Sequence, residues 1–401
     1  MMGSGAITLL LCAAAALLEG FDTQSMGVAA PRLMPALGLS SAQAGLVFSA
    51  TALGLFIGAA IGGRIADHIG RRWTLIGSLL LFGCFSWLTL AASGFMSLFA
   101  ARWFTGLGLG SALPNFITLA SESVQAHRRL RVAALVASVM PCGGALAALV
   151  ALGERLGWSW HAIFYVGGVV PIALALAMVR FLPESPGIGR LGREVRDAQA
   201  PPRVARVTTV LFGAGRAATT VLLWTSIFFA QLMLLLMLNW LPSLFVGLGF
   251  DRAQASWAAV CFNLAGAVGG AVLGRLHSGR HRRVAIIATY VCIGTALVAV
   301  ARVSASLAIA LAASALAGAF IVGATLILFA VAPLYYDSSG RATGVGAAVA
   351  AGRLGSVFGP LFAAVLLARG NGSVGVLLGM EPFVIIGGLA AWALGRRPTA
   401  R

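Results

Sequence analysis

The chain contains no lysine. All 28 of its basic residues are arginine, set against only 11 acids in 401 residues, and charged residues make up 10% of the whole. Soluble domains average about 25%, so this scarcity excludes one. The net charge of +17 does not imply a nucleic-acid partner. The arginines are spread over short loops between apolar runs rather than gathered on one folded face. Cysteine is also scarce. Cys12, Cys84, Cys142, Cys261 and Cys292 all lie inside apolar runs, with no CxxC and no Cys/His cluster, so neither a disulfide nor a metal site is expected. No nucleophile–base set is evident, which argues against an enzyme. The residues before Ile7 lack a basic n-region, and the first apolar run continues past Glu19. It therefore reads as a retained span rather than a signal peptide.

Apolar sequence is abundant: 60% of the chain is hydrophobic and the mean hydropathy is +0.96. Twelve runs approach the ~20 residues that a spanning helix needs. They cover about 7–30, 43–65, 73–92, 96–120, 131–152, 161–181, 217–246, 254–276, 284–301, 305–333, 342–368 and 375–395. This pattern predicts an all-α integral membrane protein of twelve transmembrane helices in two six-helix bundles.

Arginine sets the orientation. With the N-terminus in the cytoplasm, 21 arginines fall on the cytoplasmic side and five (Arg32, Arg155, Arg252, Arg302, Arg369) outside, with Arg102 and Arg353 within spans. The positive-inside rule then places both termini in the cytoplasm. The longest polar stretch, 183–216, separates an N-terminal half (1–182) from a C-terminal half (217–401). A repeat at an offset of 211 relates the halves: Ala42-Gln43-Ala44 falls on Ala253-Gln254-Ala255, Gly63-Arg64 on Gly274-Arg275, and Arg71-Arg72 on Arg282-Arg283. Parallel six-helix repeats around a central loop form a transporter architecture.

Two acids interrupt the first run, in Glu19-Gly20-Phe21-Asp22. On a helix they lie one turn apart on one face. Carboxyls at mid-bilayer depth are costly and are usually functional. Asp22 lies ~23 Å and Glu19 ~18 Å along the span from Ile7, and Arg353 lies ~18 Å beyond Arg341. An acid pair from one half and an arginine from the other can therefore share a depth. Glu381 is expected near the outer interface, and Pro141 in Met140-Pro141-Cys142-Gly143-Gly144 is expected to kink its helix.

The loop Gly63-Arg64-Ile65-Ala66-Asp67-His68-Ile69-Gly70-Arg71-Arg72 carries the Gly-x-x-x-Asp-x-x-Gly-Arg-Arg signature and resembles the major facilitator superfamily. Gly63 is expected to permit close packing and Gly70 a tight turn. The second copy has Ser278 at the Asp67 position. Arg102 with Gly106, Gly108 and Gly110, followed by Pro114-Asn115, resembles the superfamily's second motif, which is associated with proton coupling. Glu19-Gly20-Phe21-Asp22 with Gly27-Val28-Ala29-Ala30-Pro31 is similar to the aromatic acid:proton symporter family. It most resembles the branch handling 3-(3-hydroxyphenyl)propionate, as do Phe181-Leu182-Pro183-Glu184-Ser185, Asn239-Trp240-Leu241-Pro242, and Arg341-Ala342-Thr343-Gly344 with Gly352-Arg353-Leu354-Gly355.

This resemblance implies a proton-coupled importer of a small aromatic carboxylate in the bacterial inner membrane, working by alternating access as a monomer. Protons are the coupling ion, and no other cofactor is expected. It puts Glu19, Asp22, Arg102 and Glu122 in proton coupling. Gating falls to Gly63, Asp67, Gly70, Arg71, Arg72 and Arg341. The substrate residues are Arg353 (with Arg102 as the alternative carboxylate ligand or a partner of the acids), Asn239, Trp240 and Asn115, and Phe228, Phe229, Phe262 and Tyr290 are available for ring contacts. A drug or metabolite antiporter of the same superfamily, and more remotely a membrane enzyme or sensor, are the competing readings.

Overall fold

The computed structural model describes residues 4–153, 157–183, 207–213, 215–277, 282–302, 306–337 and 340–398. Arg155, Glu184, Ser185, Ser278 and Arg280, together with the linker residues 184–206, lie outside the described residues. The described residues form helices and short turns and contain no strand. In chain order the α-helices are α1 (Ser4–Ala36), α2 (Ser41–Ile69), α3 (Arg71–Leu88), α4 (Phe95–Glu122), α5 (Arg129–Ser138), α6 (Met140–Ala151), α7 (His161–Phe181), α8 (Val207–Phe212), α9 (Ala217–Gly247), α10 (Arg252–His277), α11 (Arg282–Arg302), α12 (Leu307–Val331), α13 (Arg341–Ala368), α14 (Gly372–Gly379) and α15 (Glu381–Leu394). Counting α5–α6 and α14–α15 as one span each, and leaving out the short α8, twelve helical spans result.

Eleven spans among the described residues are both long and apolar enough to cross a membrane. The twelfth is α4, 28 residues long, whose hydropathy is lowered by Arg102 and its glycines. The two broken spans share a cause. Each break stands at the first turn of its second helix, where Pro141 and Pro382 sit. Proline fits there because that N–H needs no partner. The helix is thus interrupted at Val139, two residues before Pro141. Glu381, however, lies near the middle of the span Gly372–Leu394 rather than at its outer edge. The first span also differs from expectation, since α1 continues through Pro31 and Pro35 to Ala36.

The chain divides into two compact units, 1–29 with 50–204, and 30–49 with 205–401. The end of α1 and the start of α2 thus belong to the second unit. Their packing explains it. Ala30 and Leu33 are fully buried. Ser49 Oγ donates to Val357 O at 2.8 Å, and Gly45 lies against Ala364 and Pro360. Phe48 meets Trp240 edge-on at 5.1 Å.

Glycine sets the helix crossings inside each unit. In the first, a Cβ at Gly54 or Gly58 would overlap the carbonyl oxygens of Trp103 and Leu107 on α4; one at Gly106 or Gly110 would overlap those of Thr51 and Leu55 on α2. Gly108 turns to α3, against Phe82 and Ser78. Small residues at four-residue spacing let spanning helices meet backbone to backbone. In the second unit Gly269 meets Ala319 and Gly318 meets the Phe262 carbonyl. Gly269 is the 211-offset counterpart of Gly58, so the repeat extends to packing.

Candidate functional site

The acid pair is built onto the tightest crossing of the first unit. Gly20 lies on the Met140 carbonyl of α6, and Gly143 lies on the Leu17 carbonyl of α1. This fixes one face of α1, from which Glu19, Asp22 and Ser25 project at one-turn intervals; all three are buried. The Asp22 carboxylate accepts from three groups on three helices. Ser86 Oγ of α3 donates to Oδ1 at 2.6 Å. Ser25 Oγ lies 3.3 Å from Oδ1 and also reaches the Asp22 carbonyl at 2.7 Å. Arg102 Nη2 of α4 stands 3.4 Å from Oδ2, an ion pair with both side chains fully buried.

Both terminal nitrogens of Arg102 are engaged, while its Nε is buried without a hydrogen bond. Nη2 donates to Thr105 Oγ1 at 2.7 Å, and Nη1 donates to Ser25 Oγ at 3.2 Å. Its guanidinium lies 5.4 Å over the Phe164 ring of α7, a favourable cation–π position. Gly167 leaves the space for this assembly, since a Cβ there would come within 3.1 Å of Ser86 Oγ and 3.3 Å of Asp22 Oδ1. A charge in hydrocarbon survives only when paired and hydrogen-bonded, and this cluster meets both conditions. Ser25, Ser86, Thr105, Phe164 and Gly167 were not anticipated from sequence. Ser25 and Thr105 repeat the one-turn spacing from Asp22 and Arg102, which is a usable signal. Ser86 sits alone in an apolar run and offers none.

A second ion pair closes the far end of α4. Glu122 pairs with Arg71 at the start of α3, both about 30% exposed. Arg72 Nη2 donates to the Val179 carbonyl of α7 at 2.7 Å and lies 5.1 Å over Trp73. Gly70 makes the turn with φ 93°, a conformation glycine adopts freely. Asp67 is exposed. Gly63 departs from expectation. A Cβ there would meet open space, whereas one at Gly62 would run into Ser111. The close contact belongs to Gly62.

In the second unit, Arg353 lies half-buried on α13 and Arg341 is exposed at that helix's first turn. Trp240 is buried in packing, its indole N–H donating to Pro360 O at 3.1 Å. Asn239 and Asn115 each donate to the carbonyl one turn earlier, Leu235 and Ser111, at 2.8 Å. Arg216 pairs with Asp337. Beside them the Tyr336 hydroxyl contacts Thr220 Oγ1 at 3.2 Å. Burial pushes the Tyr336 phenol up from its usual value, while the Thr220 hydrogen bond and the charge of Arg216 oppose the shift.

The sequence profile described as Major Facilitator Superfamily matches residues 12–252. The chain belongs to the major facilitator superfamily. It is 41% identical over 392 residues to the 3-(3-hydroxyphenyl)propionate transporter of Escherichia coli, covering 98% of this chain and 94% of that protein. It is 30% identical to the 4-hydroxybenzoate transporter PcaK of Pseudomonas putida, over 90% of this chain and 86% of the relative. Among solved structures, it is similar in fold to a bacterial homologue of the human lysosomal transporter Spinster (TM-score 0.78, 16% identity, 99% of this chain and 98% of that one). It also resembles a D-xylose–proton symporter (TM-score 0.75, 18% identity, 98% and 97%). This member of the superfamily is therefore a multi-pass membrane transporter and not an enzyme.

Proposed function

We propose that the transporter imports a small aromatic carboxylate together with protons across the bacterial inner membrane, with both termini cytoplasmic. The observation that carries the coupling half of this reading is the buried Asp22–Arg102 pair. Protonating Asp22 removes the charge that holds Arg102, so proton occupancy becomes a change in side-chain pairing inside the first unit. Glu19, one turn earlier on the same face, is the second proposed acceptor. Arg102 is taken up by Asp22, Ser25 and Thr105, which favours Arg353 as the ligand of the substrate carboxylate. Arginine suits that role because its planar fork matches a carboxylate bidentately. The substrate class rests on the relatives, whose names specify hydroxyphenylpropionate and hydroxybenzoate.

The test is uptake of radiolabelled 3-(3-hydroxyphenyl)propionate into proteoliposomes with an acid-outside pH gradient. Accumulation above equilibrium that collapses with a protonophore is expected, and Asp22→Asn should abolish it. Gradient-independent uptake, or full accumulation by Asp22→Asn, would refute the coupling assignment. Proton influx driving solute out would instead indicate an antiporter.

A further inference from the structure

A groove of about 820 Å3 lies between α11 and α15 of the second unit. Tyr290, Val291 and Gly294 form one wall; Glu381, Gly388 and Leu389 form the other. Val291 and Leu389 are both more than half exposed, so the groove opens sideways from the helices. Both helices belong to spans, so that side faces hydrocarbon.

One polar group stands in it with an unpartnered oxygen. Glu381 stands near the middle of its span, and its Oε1 is buried with no hydrogen bond. A Cβ at Gly294 would come within 2.9 Å of its Oε2, so the carboxyl leans over that glycine. Tyr290, one turn before Gly294, is only 7% exposed; its ring lies over Gly388 and its hydroxyl ends beside Gly387 and Phe229, on the inner side of the groove wall. Arg302 lines the same groove but lies eight residues past Gly294, ~12 Å along the helix. No ion pair joins it to Glu381 among the described residues. Unpartnered polar groups at this depth cost free energy that a suitable ligand recovers.

The groove is not a general product of the fold, as the internal repeat shows. Gly83 is the 211-offset counterpart of Gly294. A Cβ there would meet the Gly168 carbonyl and Ile172, both at 3.0 Å, so in the first unit the crossing is filled. The counterparts of Tyr290 and Glu381 are Leu79, which is fully buried in the core, and Val170. Of the two halves, only the second places an acid at this crossing.

We propose that the groove is a binding site for a lipophilic amine, its ammonium held by Glu381 and its apolar body lying along α11 and α15. A carboxylate accepts from an ammonium N–H. An anionic ligand would meet Glu381 with the wrong charge. The volume lies within the roughly 300–1,000 Å3 of small-molecule sites.

The test uses the full chain in lipid nanodiscs and radiolabelled desipramine, a secondary amine on an apolar tricycle. Its amine-free ring system, iminodibenzyl, is the competitor. Saturable binding is expected, displaced by unlabelled desipramine and not by iminodibenzyl. Glu381→Gln should weaken it at least tenfold, and Gly294→Leu, which fills the groove, should abolish it. Non-saturable binding, equal competition by iminodibenzyl, or an unchanged Kd in Glu381→Gln would overturn the proposal. Should Glu381→Gln fail to fold, Gly294→Leu decides the matter alone.

Discussion

The guanidinium of Arg102 and the carboxylate of Asp22 lie 3.4 Å apart with neither side chain reaching the surface. Removing one member strands the other in a buried site, which costs about 3–5 kcal/mol. Arg102→Ala and Asp22→Ala should each lower the melting temperature sharply. The double variant should lose much less than the sum of the two single losses. Arg102→Lys keeps the charge but not the fork that spans Ser25, Asp22 and Thr105, so it should retain folding and lose uptake at least tenfold. Additive single-variant losses would show that the pair is not coupled.

Ser86→Ala removes the shortest hydrogen bond to Asp22. Hydrogen bonds to charged groups contribute about 1.5–3 kcal/mol, so a loss of that size is expected in a thermal melt. Ser86→Cys, a weak donor of similar size, should fall between wild type and alanine. Identical melts for all three would mean that this contact contributes nothing.

The glycine motif should respond unevenly to alanine. Gly62→Ala, Gly106→Ala and Gly110→Ala drive a methyl into Ser111, Thr51 or Leu55. Each should cost about 1–3 kcal/mol, the range for overpacking. Gly63→Ala faces open space and should leave the melting temperature unchanged. Comparing Gly62→Ala with Gly63→Ala by melt checks which of two adjacent glycines carries the packing.

The Arg71–Glu122 pair is partly exposed. Exposed pairs contribute about 0.2–1 kcal/mol, so Glu122→Gln should barely shift stability. Its effect on transport should match that of Arg71→Gln, and the swap Arg71→Glu/Glu122→Arg should restore rate. If the swap fails while Glu122→Gln alone uncouples protons from uptake, Glu122 acts as an acid in its own right.

Most of the architecture was legible because lipid imposes few solutions. Apolar runs and arginine-rich loops marked the spans closely, and the break at Pro141 fell where a kink was expected, whereas the break before Pro382 was not anticipated. The continuation of α1 past Pro31 was not legible. A proline normally ends a helix by local rules, and here burial of Ala30 and Leu33 within the second unit overrides them. Within the site, Glu19, Asp22 and Arg102 stood out because charge inside an apolar run is costly. Ser86 and Gly167 did not, since their importance arises only from three-dimensional proximity to Asp22. Glu381 was misplaced because its run was assigned too late a start, which moved a mid-span acid to an edge.

At Gly20, Gly58, Gly106, Gly110 and Gly143 in the first unit, and at Gly318, Gly355 and Gly359 in the second, the direction a Cβ would take points at a carbonyl oxygen of the facing helix. In glycine that direction holds a Cα hydrogen instead. Each crossing therefore carries weak Cα–H···O contacts, individually about 0.5–1 kcal/mol. Unlike burial of apolar surface, these do not depend on a difference between the protein and its surroundings. The cohesion of each unit should accordingly depend little on which lipid or detergent surrounds it, so that purification conditions can be varied widely before the helices part.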